Sequence, residues 1–128
     1  MNHNLTEHEK EILNKAKYIR KFFSSEIGVA ITPLRDLLCF YETMSQLYEK
    51  VGDEINAQEC RSLQLDFSET NMYFQIAENY LECENDLSQK VSGSIVRIHY
   101  NLMEAYLDRG QTVDALRHKR KMDEYIDE

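Results

Sequence analysis

Two ten-residue stretches decide the fold: YEKVGDEINA, from Tyr48 to Ala57, and YLDRGQTVDA, from Tyr106 to Ala115. Both read Tyr, three residues, Gly, two residues, Ile or Val, Asn or Asp, Ala. The spacing is typical of a helical hairpin, in which the ring precedes a helix end, the glycine allows a tight reversal, and the alanine permits close helix approach. The predicted structural residues of the hairpins are Tyr48, Gly52, Ala57, Tyr106, Gly110 and Ala115.

Apolar residues that recur every three or four positions predict helices along the whole chain, and no segment sustains strand alternation. Thr6 and Glu9 form a capping box that opens the first helix. The predicted segments are an N-terminal helix over 6–27, hairpin one over 33–65, a middle helix over 68–84 and hairpin two over 86–126. The sequence therefore predicts an all-α single domain over 1–128 with five or six helices, because no glycine or proline decides whether 53–84 is one helix or two.

Local signals refine these segments. The first helix is expected to fray near Gly28. Asp86 and Gln89 repeat the capping-box pattern ahead of hairpin two. Ile55 and Val113, at the same position of the two stretches, are expected to point into the seam between the helices of each hairpin.

The composition fits a globular domain, since 42% of the 128 residues are hydrophobic and 30% are charged. Fifteen Lys and Arg stand against 23 Asp and Glu, which gives a net charge of −8. A field of that sign repels phosphate backbones and anionic lipids, so it disfavours nucleic acid and membranes as partners and favours basic protein segments. Three widely spaced cysteines and the lack of an apolar leader or membrane-spanning run predict a reducing, cytoplasmic location.

The two stretches resemble the tetratricopeptide repeat (TPR), a helix-turn-helix unit of about 34 residues with an aromatic residue, Gly and Ala at this spacing. The small apolar slot four residues before each tyrosine is held here by Met44 and Leu102. The resemblance covers about 37–64 and 95–123, under half of the chain. The copies lie 58 residues apart, whereas two regular repeats need about 68. The resemblance therefore implies an irregular array of TPR-like hairpins.

That resemblance also implies a concave groove, lined by the first helix of each hairpin, that holds a partner peptide. The implied partner-binding residues are Glu42, Gln46, Arg97, Tyr100, Asn101 and Glu104. Some TPR proteins clamp a terminal carboxylate with Lys and Asn, and Asn101 matches one such Asn. The clamp Lys position falls on Glu42 and another Asn position on Gln46, so a carboxylate clamp is disfavoured. Glu42 and Glu104 instead imply a groove that tolerates basic ligands.

No recognisable catalytic or metal-binding motif occurs in the sequence. There is no HExxH, CxxC, EF-hand loop, P-loop or dinucleotide fingerprint, and neither a cofactor nor a metal is predicted. Of the four histidines, only His99 falls in a predicted core helix, where a hydrogen-bonded structural role is expected. Glu82, Glu84 and Asp86 around Cys83 are expected to form a solvated turn rather than a metal site.

The strongest charge feature is RHKRK at 117–121. Its cations favour a helix C-terminus and can pair with Asp114, Asp123 and Glu124 at spacings of three or four. The functional alternative is a docking patch for an acidic peptide or a nuclear-import signal.

The sequence thus predicts a non-enzymatic protein-protein interaction module, an adaptor, chaperone or assembly subunit that binds a peptide or helix of a partner. A short helical array is also expected to self-associate or to join a larger complex. The alternatives are a dimerising regulatory or inhibitory bundle without a groove and, ranked lower, a small helical enzyme. An open groove at Glu42, Gln46, Tyr100 and Asn101 favours the first class, and a groove filled by the N-terminal helix or a second copy favours the second. A deep pocket with His99 beside a carboxylate or Cys favours the third.

Overall fold

The computed structural model describes residues 5–83 and 92–126, and this part of the chain contains seven α-helices and no β-strand. The helices are α1 (Glu7–Phe23), α2 (Glu26–Ala30), α3 (Leu34–Lys50), α4 (Glu54–Glu69), α5 (Met72–Cys83), α6 (Ser92–Asp108) and α7 (Thr112–Ile126). The predicted all-α class is confirmed, but five or six helices are too few. The capping pattern at Asp86 and Gln89, the start of hairpin two at 86, and Glu84 of the acidic cluster lie outside the described residues.

The additional helix arises because the predicted N-terminal helix over 6–27 divides at Ser24 and Ser25. Both hydroxyls donate to carbonyls in the last turn of α1, which competes with continuation of the helix. Ser25 Oγ then accepts from the Gly28 amide at 3.1 Å and caps α2. Gly28 is buried in α2, not at a frayed end, and a Cβ there would lie 1.8 Å from the Phe22 carbonyl oxygen. The close approach of α2 to the end of α1 therefore requires glycine.

The stretch over 53–84 forms two helices rather than one. Thr70 makes the break, because its Oγ1 donates to the Asp66 carbonyl and accepts from the Met72 amide. A side chain that bonds to the nearby backbone thus supplies the stop signal in the absence of Gly or Pro.

Polar bonds attach α1 to the first hairpin at both ends of the helix. At its start, Thr6 Oγ1 accepts from the Glu9 amide at 3.0 Å and Glu9 Oε1 accepts from the Thr6 amide at 2.9 Å, which completes the capping box. The same Glu9 carboxylate lies 3.1 Å from Lys50 Nζ at the end of α3. Near the other end, Arg20 Nη1 donates to Asn56 Oδ1 of α4 at 2.9 Å. The helix therefore lies against both members of the pair α3 and α4.

Hairpin one is formed by α3 and α4, and hairpin two by α6 and α7. Their turns have the same geometry, with φ of +80° at Gly52 and +74° at Gly110. The amide after each glycine donates to the carbonyl of the repeated tyrosine, at 2.8 Å for Tyr48 and 2.9 Å for Tyr106. Each glycine amide also donates to the carbonyl of the residue after that tyrosine, at 3.0 Å in both turns. These two bonds define a Schellman motif, so the repeated stretches fold into the same helix stop.

The expectation that Ile55 and Val113 face the seam of each hairpin is wrong. Their exposed fractions are 81% and 82%. The buried residues are Ala57 and Ala115, two positions further along. Two positions correspond to about 200° of helical rotation, so inward-facing alanines leave the residues two places earlier on the solvent side.

The middle helix α5 connects the two hairpins. Tyr73 is buried, and its hydroxyl donates to the Thr32 carbonyl at 2.8 Å, which ties α5 to the segment before α3. Phe74 stacks on Tyr106 of α6 with ring centroids 4.2 Å apart. Arg109, in the turn of hairpin two, donates to three carbonyls at the end of α4 over 2.7 to 3.0 Å. The end of hairpin one is therefore capped by the turn of hairpin two.

Candidate binding sites

Five of the six predicted partner-binding residues are accessible. Glu42 and Gln46 are exposed on α3, and Arg97 and Tyr100 are exposed on α6. Glu104 of α6 is partly buried. These side chains are available to a partner on the surfaces of the two hairpins.

The sixth residue, Asn101, lies inside the protein. Its exposed fraction is 2%, and its Nδ2 donates to the Ala30 carbonyl of α2 at 3.2 Å. Its Oδ1 has no hydrogen-bond partner among the described residues. A partner at the surface does not reach this side chain, which instead joins α2 to α6.

The exposed faces of α3 and α6 do not form one groove. The two helices do not pack along their lengths. They are joined where α3 begins and α6 ends, by bonds of 3.0 and 2.9 Å from Arg35 to Asp108. In addition, α1 lies over part of the α3 face, where Gln46 and Ile12 line a space of about 350 Å³. The structure therefore separates the predicted residues of α3 from those of α6.

An open cavity of about 500 Å³ lies elsewhere, among α1, α2, hairpin one and α5. Its apolar lining consists of Phe23, Val29, Tyr41, Leu63, Phe67, Met72 and Ile76. Phe67 stacks on Tyr41 with centroids 5.9 Å apart, and Phe23 meets Tyr41 edge to face at 6.4 Å. Because these rings also belong to the core or pack against it, the cavity wall is preformed, as is usual for binding pockets.

Three cations of α1, Lys17, Arg20 and Lys21, together with the Glu59 carboxylate and Ser24, complete the lining. Arg20 and Glu59 form an ion pair at 3.3 Å. Burial disfavours the charged form of Arg20, but the hydrogen bond to Tyr48 and nearby negative groups raise its pKa, so it stays charged. Lys17 and Lys21 are exposed, which places them at the opening of the cavity.

A second cavity, of about 270 Å³, occupies the corresponding position of hairpin two. Four of its lining residues lie 58 positions after residues that line the first cavity. They are His99, Arg117, Lys121 and Tyr125, which correspond to Tyr41, Glu59, Leu63 and Phe67. The ring contact across the hairpin is also retained, since His99 and Tyr125 stack with centroids 6.1 Å apart. The two cavities are therefore structural counterparts with different chemistry.

A buried polar network forms the wall of the second cavity. The Nδ1 atoms of His99 and His118 are 2.8 Å apart, so one donates and the other accepts. The rings are 7% and 1% exposed. His118 Nε2 lies 3.1 Å from Glu78 Oε1 but without the alignment of a hydrogen bond. Glu78 Oε2 accepts from the Tyr106 hydroxyl at 2.8 Å and from Arg117 Nη2 at 2.6 Å.

The protonation states in this network follow from burial and from the neighbouring charges. Burial, reinforced by His118, lowers the pKa of His99 to about 4. Burial works to raise the pKa of Glu78, but His118, Arg117 and Tyr106 together hold it well below its usual range. Burial and the Glu78 carboxylate raise the pKa of Tyr106. At neutral pH the network therefore contains an ionised Glu78, a neutral His99 and a protonated Tyr106.

This arrangement places His99 in a cavity beside a carboxylate, as the enzyme alternative requires. However, no Ser, Thr or Cys is among the described residues that line the cavity. The histidine Nδ1 atoms bond to each other, and Glu78 already has three partners. Within 5–83 and 92–126, no group of three or more His, Cys, Asp or Glu is arranged to hold a metal ion. The network thus joins α5, α6 and α7 through contacts within the protein.

Sequence reasoning missed the lysines of the apolar cavity, although a signal was present. KAKYIRK at 15–21 places four cations in seven residues of a chain whose net charge is −8. The sequence places His118 inside the basic run at 117–121 and outside the predicted core, whereas this ring is buried. The ion pairs expected along that run are present, with Arg117–Asp114 at 3.2 Å, Lys119–Asp123 at 2.9 Å and Lys121–Glu124 at 3.7 Å.

No protein-family model, curated protein or solved structure matches this chain. The resemblance to TPR proteins therefore rests on the two repeated stretches alone, and no family is assigned. Among the helices of residues 5–83 and 92–126, none has both the length and the apolar run that crossing a bilayer requires.

Proposed function

We propose that the chain is a non-enzymatic protein-binding module that takes a segment of a partner protein into the apolar cavity beside α1. The observation that carries this proposal is the open cavity of about 500 Å³. Protein interfaces place aromatic or aliphatic anchors in such pockets, and a few buried anchors supply most of the binding free energy. An adaptor, chaperone or assembly subunit would hold its partner in this way.

The predicted faces of the hairpins are additional contact surfaces under this proposal. Tyr100 belongs to a residue type that is enriched at interfaces, and Arg97 beside it adds a charged hydrogen-bond donor. Glu42 and Glu104 provide carboxylates for basic groups of the partner, with Gln46 as a neutral hydrogen-bonding side chain. A partner that spans the cavity and one of these faces would contact regions of opposite charge.

The proposed location is the cytoplasm. Cys39, Cys60 and Cys83 are free thiols. Burial raises the pKa of Cys60, which keeps this thiol protonated and unreactive. A reducing compartment suits a protein with three unpaired cysteines.

Site-specific photo-crosslinking tests the proposed function. A benzophenone amino acid is placed at Met72, in the cavity wall at the start of α5, and separately at Val113, an exposed apolar position that serves as the control. The variants are incubated with lysate of the native cells, and cross-linked peptides are identified by mass spectrometry. Partner peptides are expected from Met72 and not from Val113. Equal yields at the two positions, or none at Met72, would contradict the proposal.

A second candidate function is a dimerising regulatory or inhibitory bundle without a peptide groove. The position of α1 over part of the α3 face and the burial of Asn101 favour it, because together they leave no single groove on the predicted face. Sedimentation velocity over a wide range of concentrations distinguishes the candidates. A stable dimer would favour the bundle, and a monomer throughout would favour the binding module.

A further inference from the structure

We infer that the cavity beside α1 selects an acidic amphipathic segment, which inserts an apolar side chain and places carboxylates against Lys17 and Lys21. This inference rests on the proposed protein-binding function and specifies the chemical class of the partner. It differs from the preference for basic partners that the net charge of −8 suggests for the chain as a whole.

The local charge at the cavity is opposite to the charge of the chain. Three cations and one carboxylate line the cavity, which leaves a surplus of two positive charges. Because Arg20 and Glu59 pair at 3.3 Å, this surplus resides on Lys17 and Lys21. Salt screens exposed charges beyond about 8 Å at physiological ionic strength. A carboxylate at the opening therefore experiences these two lysines more strongly than charges that lie beyond that distance.

Lys17 and Lys21 also differ from the other lysines of the same helix. Lys10 and Lys15 each pair with a glutamate one turn away, at 3.3 and 3.0 Å. Among the described residues, no carboxylate lies within the 4.0 Å of an ion pair from Lys17 or Lys21, and the Lys17 ammonium rests 5.1 Å from the centre of the Tyr18 ring. The two ammonium groups at the cavity are therefore available to an external carboxylate.

The surface around these lysines extends the apolar character of the cavity. Tyr18 and Phe22 directly follow Lys17 and Lys21 in sequence, and their exposed fractions are 66% and 46%. A ligand helix with carboxylates three or four residues from an apolar anchor would meet the cavity and the lysines together, since such residues share one helix face. The four-residue spacing of Lys17 and Lys21 matches carboxylates placed one turn apart.

Peptide selection on the intact chain tests the charge preference. A phage-displayed random peptide library is panned on the immobilised protein, and enriched peptides are synthesised with a fluorophore for anisotropy titrations. Enriched peptides are expected to carry an aromatic or aliphatic residue with Asp or Glu three or four positions away. The double variant Lys17→Glu, Lys21→Glu should weaken their binding roughly tenfold. The matched variant Lys10→Glu, Lys15→Glu changes the net charge equally on the same helix and should weaken binding less than about twofold.

Methyl NMR of the unsubstituted protein locates the bound peptide without relying on a variant. Peptide addition should shift the methyl signals of Met72 and Ile76 and leave that of exposed Val113 unchanged. If peptides shift the cavity methyl signals but bind the Lys17→Glu, Lys21→Glu variant as tightly as the unsubstituted protein, the acidic preference is overturned and the proposed function stands. Enriched peptides that do not shift the cavity methyls, or an absence of enriched peptides, would overturn both. If oleate shifts the cavity methyl signals and acidic peptides do not reverse these shifts, the site binds a lipid anion. That result would also overturn both the acidic preference and the proposed function.

Discussion

Hairpin one and hairpin two have turns of the same geometry but differ in the side chains at their centres. In the register of 58 residues, Tyr41 and Cys60 of hairpin one correspond to His99 and His118 of hairpin two. Tyr41 borders an apolar cavity of about 500 Å³, whereas His99 and His118 bond to each other beside Glu78 and border a cavity of about 270 Å³. The two hairpins therefore have the same turn, but the cavity beside hairpin one has a mainly apolar wall and the cavity beside hairpin two has a polar wall.

Removal of the Glu78 carboxylate of α5, which contacts the buried centre of hairpin two, is the change with the largest expected effect. Glu78→Ala should lower the free energy of unfolding by about 3 kcal/mol, because Tyr106 and His118 lose their charged partner in a buried setting. For comparison, Glu59→Ala removes a more exposed carboxylate, which pairs with Arg20, and should lower the free energy of unfolding by less than about 1 kcal/mol. Urea unfolding followed by circular dichroism measures both. Similar losses in the two variants would contradict the contrast between a polar and an apolar centre.

The turns also differ at the position before each glycine, where hairpin one has Val51 and hairpin two has Arg109. Arg109→Val, which copies hairpin one, should lower the free energy of unfolding by about 2 kcal/mol. It removes three bonds to carbonyls at the end of α4 and a cation–π contact with Phe74 at 4.8 Å. Arg35→Val, which removes only an exposed ion pair, is the control and should have an effect below about 1 kcal/mol. If the control destabilises as much as Arg109→Val in urea unfolding, the capping role of Arg109 is wrong.

His99 should make stability depend on pH. The folded-state pKa of His99 is about 4, below its ordinary value of 6.5, so the unfolded chain binds the proton more readily as pH falls. This contribution to stability is fully present above pH 6.5 and is lost as pH falls towards 4. The free energy of unfolding should therefore fall by about 2 kcal/mol between roughly pH 7.5 and 5, a range above the usual titration of carboxylates.

His99→Tyr, which installs the residue of hairpin one, provides the control for this pH dependence. Each protein is compared with its own stability at neutral pH, so a uniform loss of stability in the variant does not affect the result. The decline towards acid pH should become shallower, because tyrosine does not titrate in this range. An unchanged decline in urea titrations at successive pH values would show that other groups cause it.

The hairpins could be inferred from the sequence because their turns are local. A glycine at positive φ and a tyrosine carbonyl one turn earlier lie within six residues, so one short stretch contains the whole motif. The orientation of Ile55 and Val113 could not be inferred from that motif, since it depends on which face of the second helix packs inward. The sequence also did not predict the division of the N-terminal helix at Ser24 and Ser25. The apolar helical pattern continues through these residues, and the bonds from their hydroxyls to the backbone are what end α1.

The sites were less predictable because they join residues that are distant in sequence. Glu78, His99 and His118 come from α5, α6 and α7, and no periodicity within one helix reveals such neighbours. The apolar cavity depends in the same way on how α1 packs against hairpin one. The prediction for Asn101 was wrong because it came from alignment with a TPR position. That alignment placed the side chain on the surface, whereas α2 covers it.

Substitution of the two turn glycines is expected to have the smallest effect and tests the equivalence of the hairpins most directly. Gly52→Ala and Gly110→Ala should each lower the free energy of unfolding by about 1 kcal/mol, because a residue with a Cβ resists positive φ. No atom lies within 4 Å of a Cβ added at either position, so backbone strain is the whole effect at both. The two losses should agree, and the double variant should show their sum, as for distant independent sites. Urea unfolding of all three variants gives these values, and a markedly larger loss at Gly110 would mean that the neighbouring Arg109 contacts, rather than the turn alone, determine the stability of hairpin two.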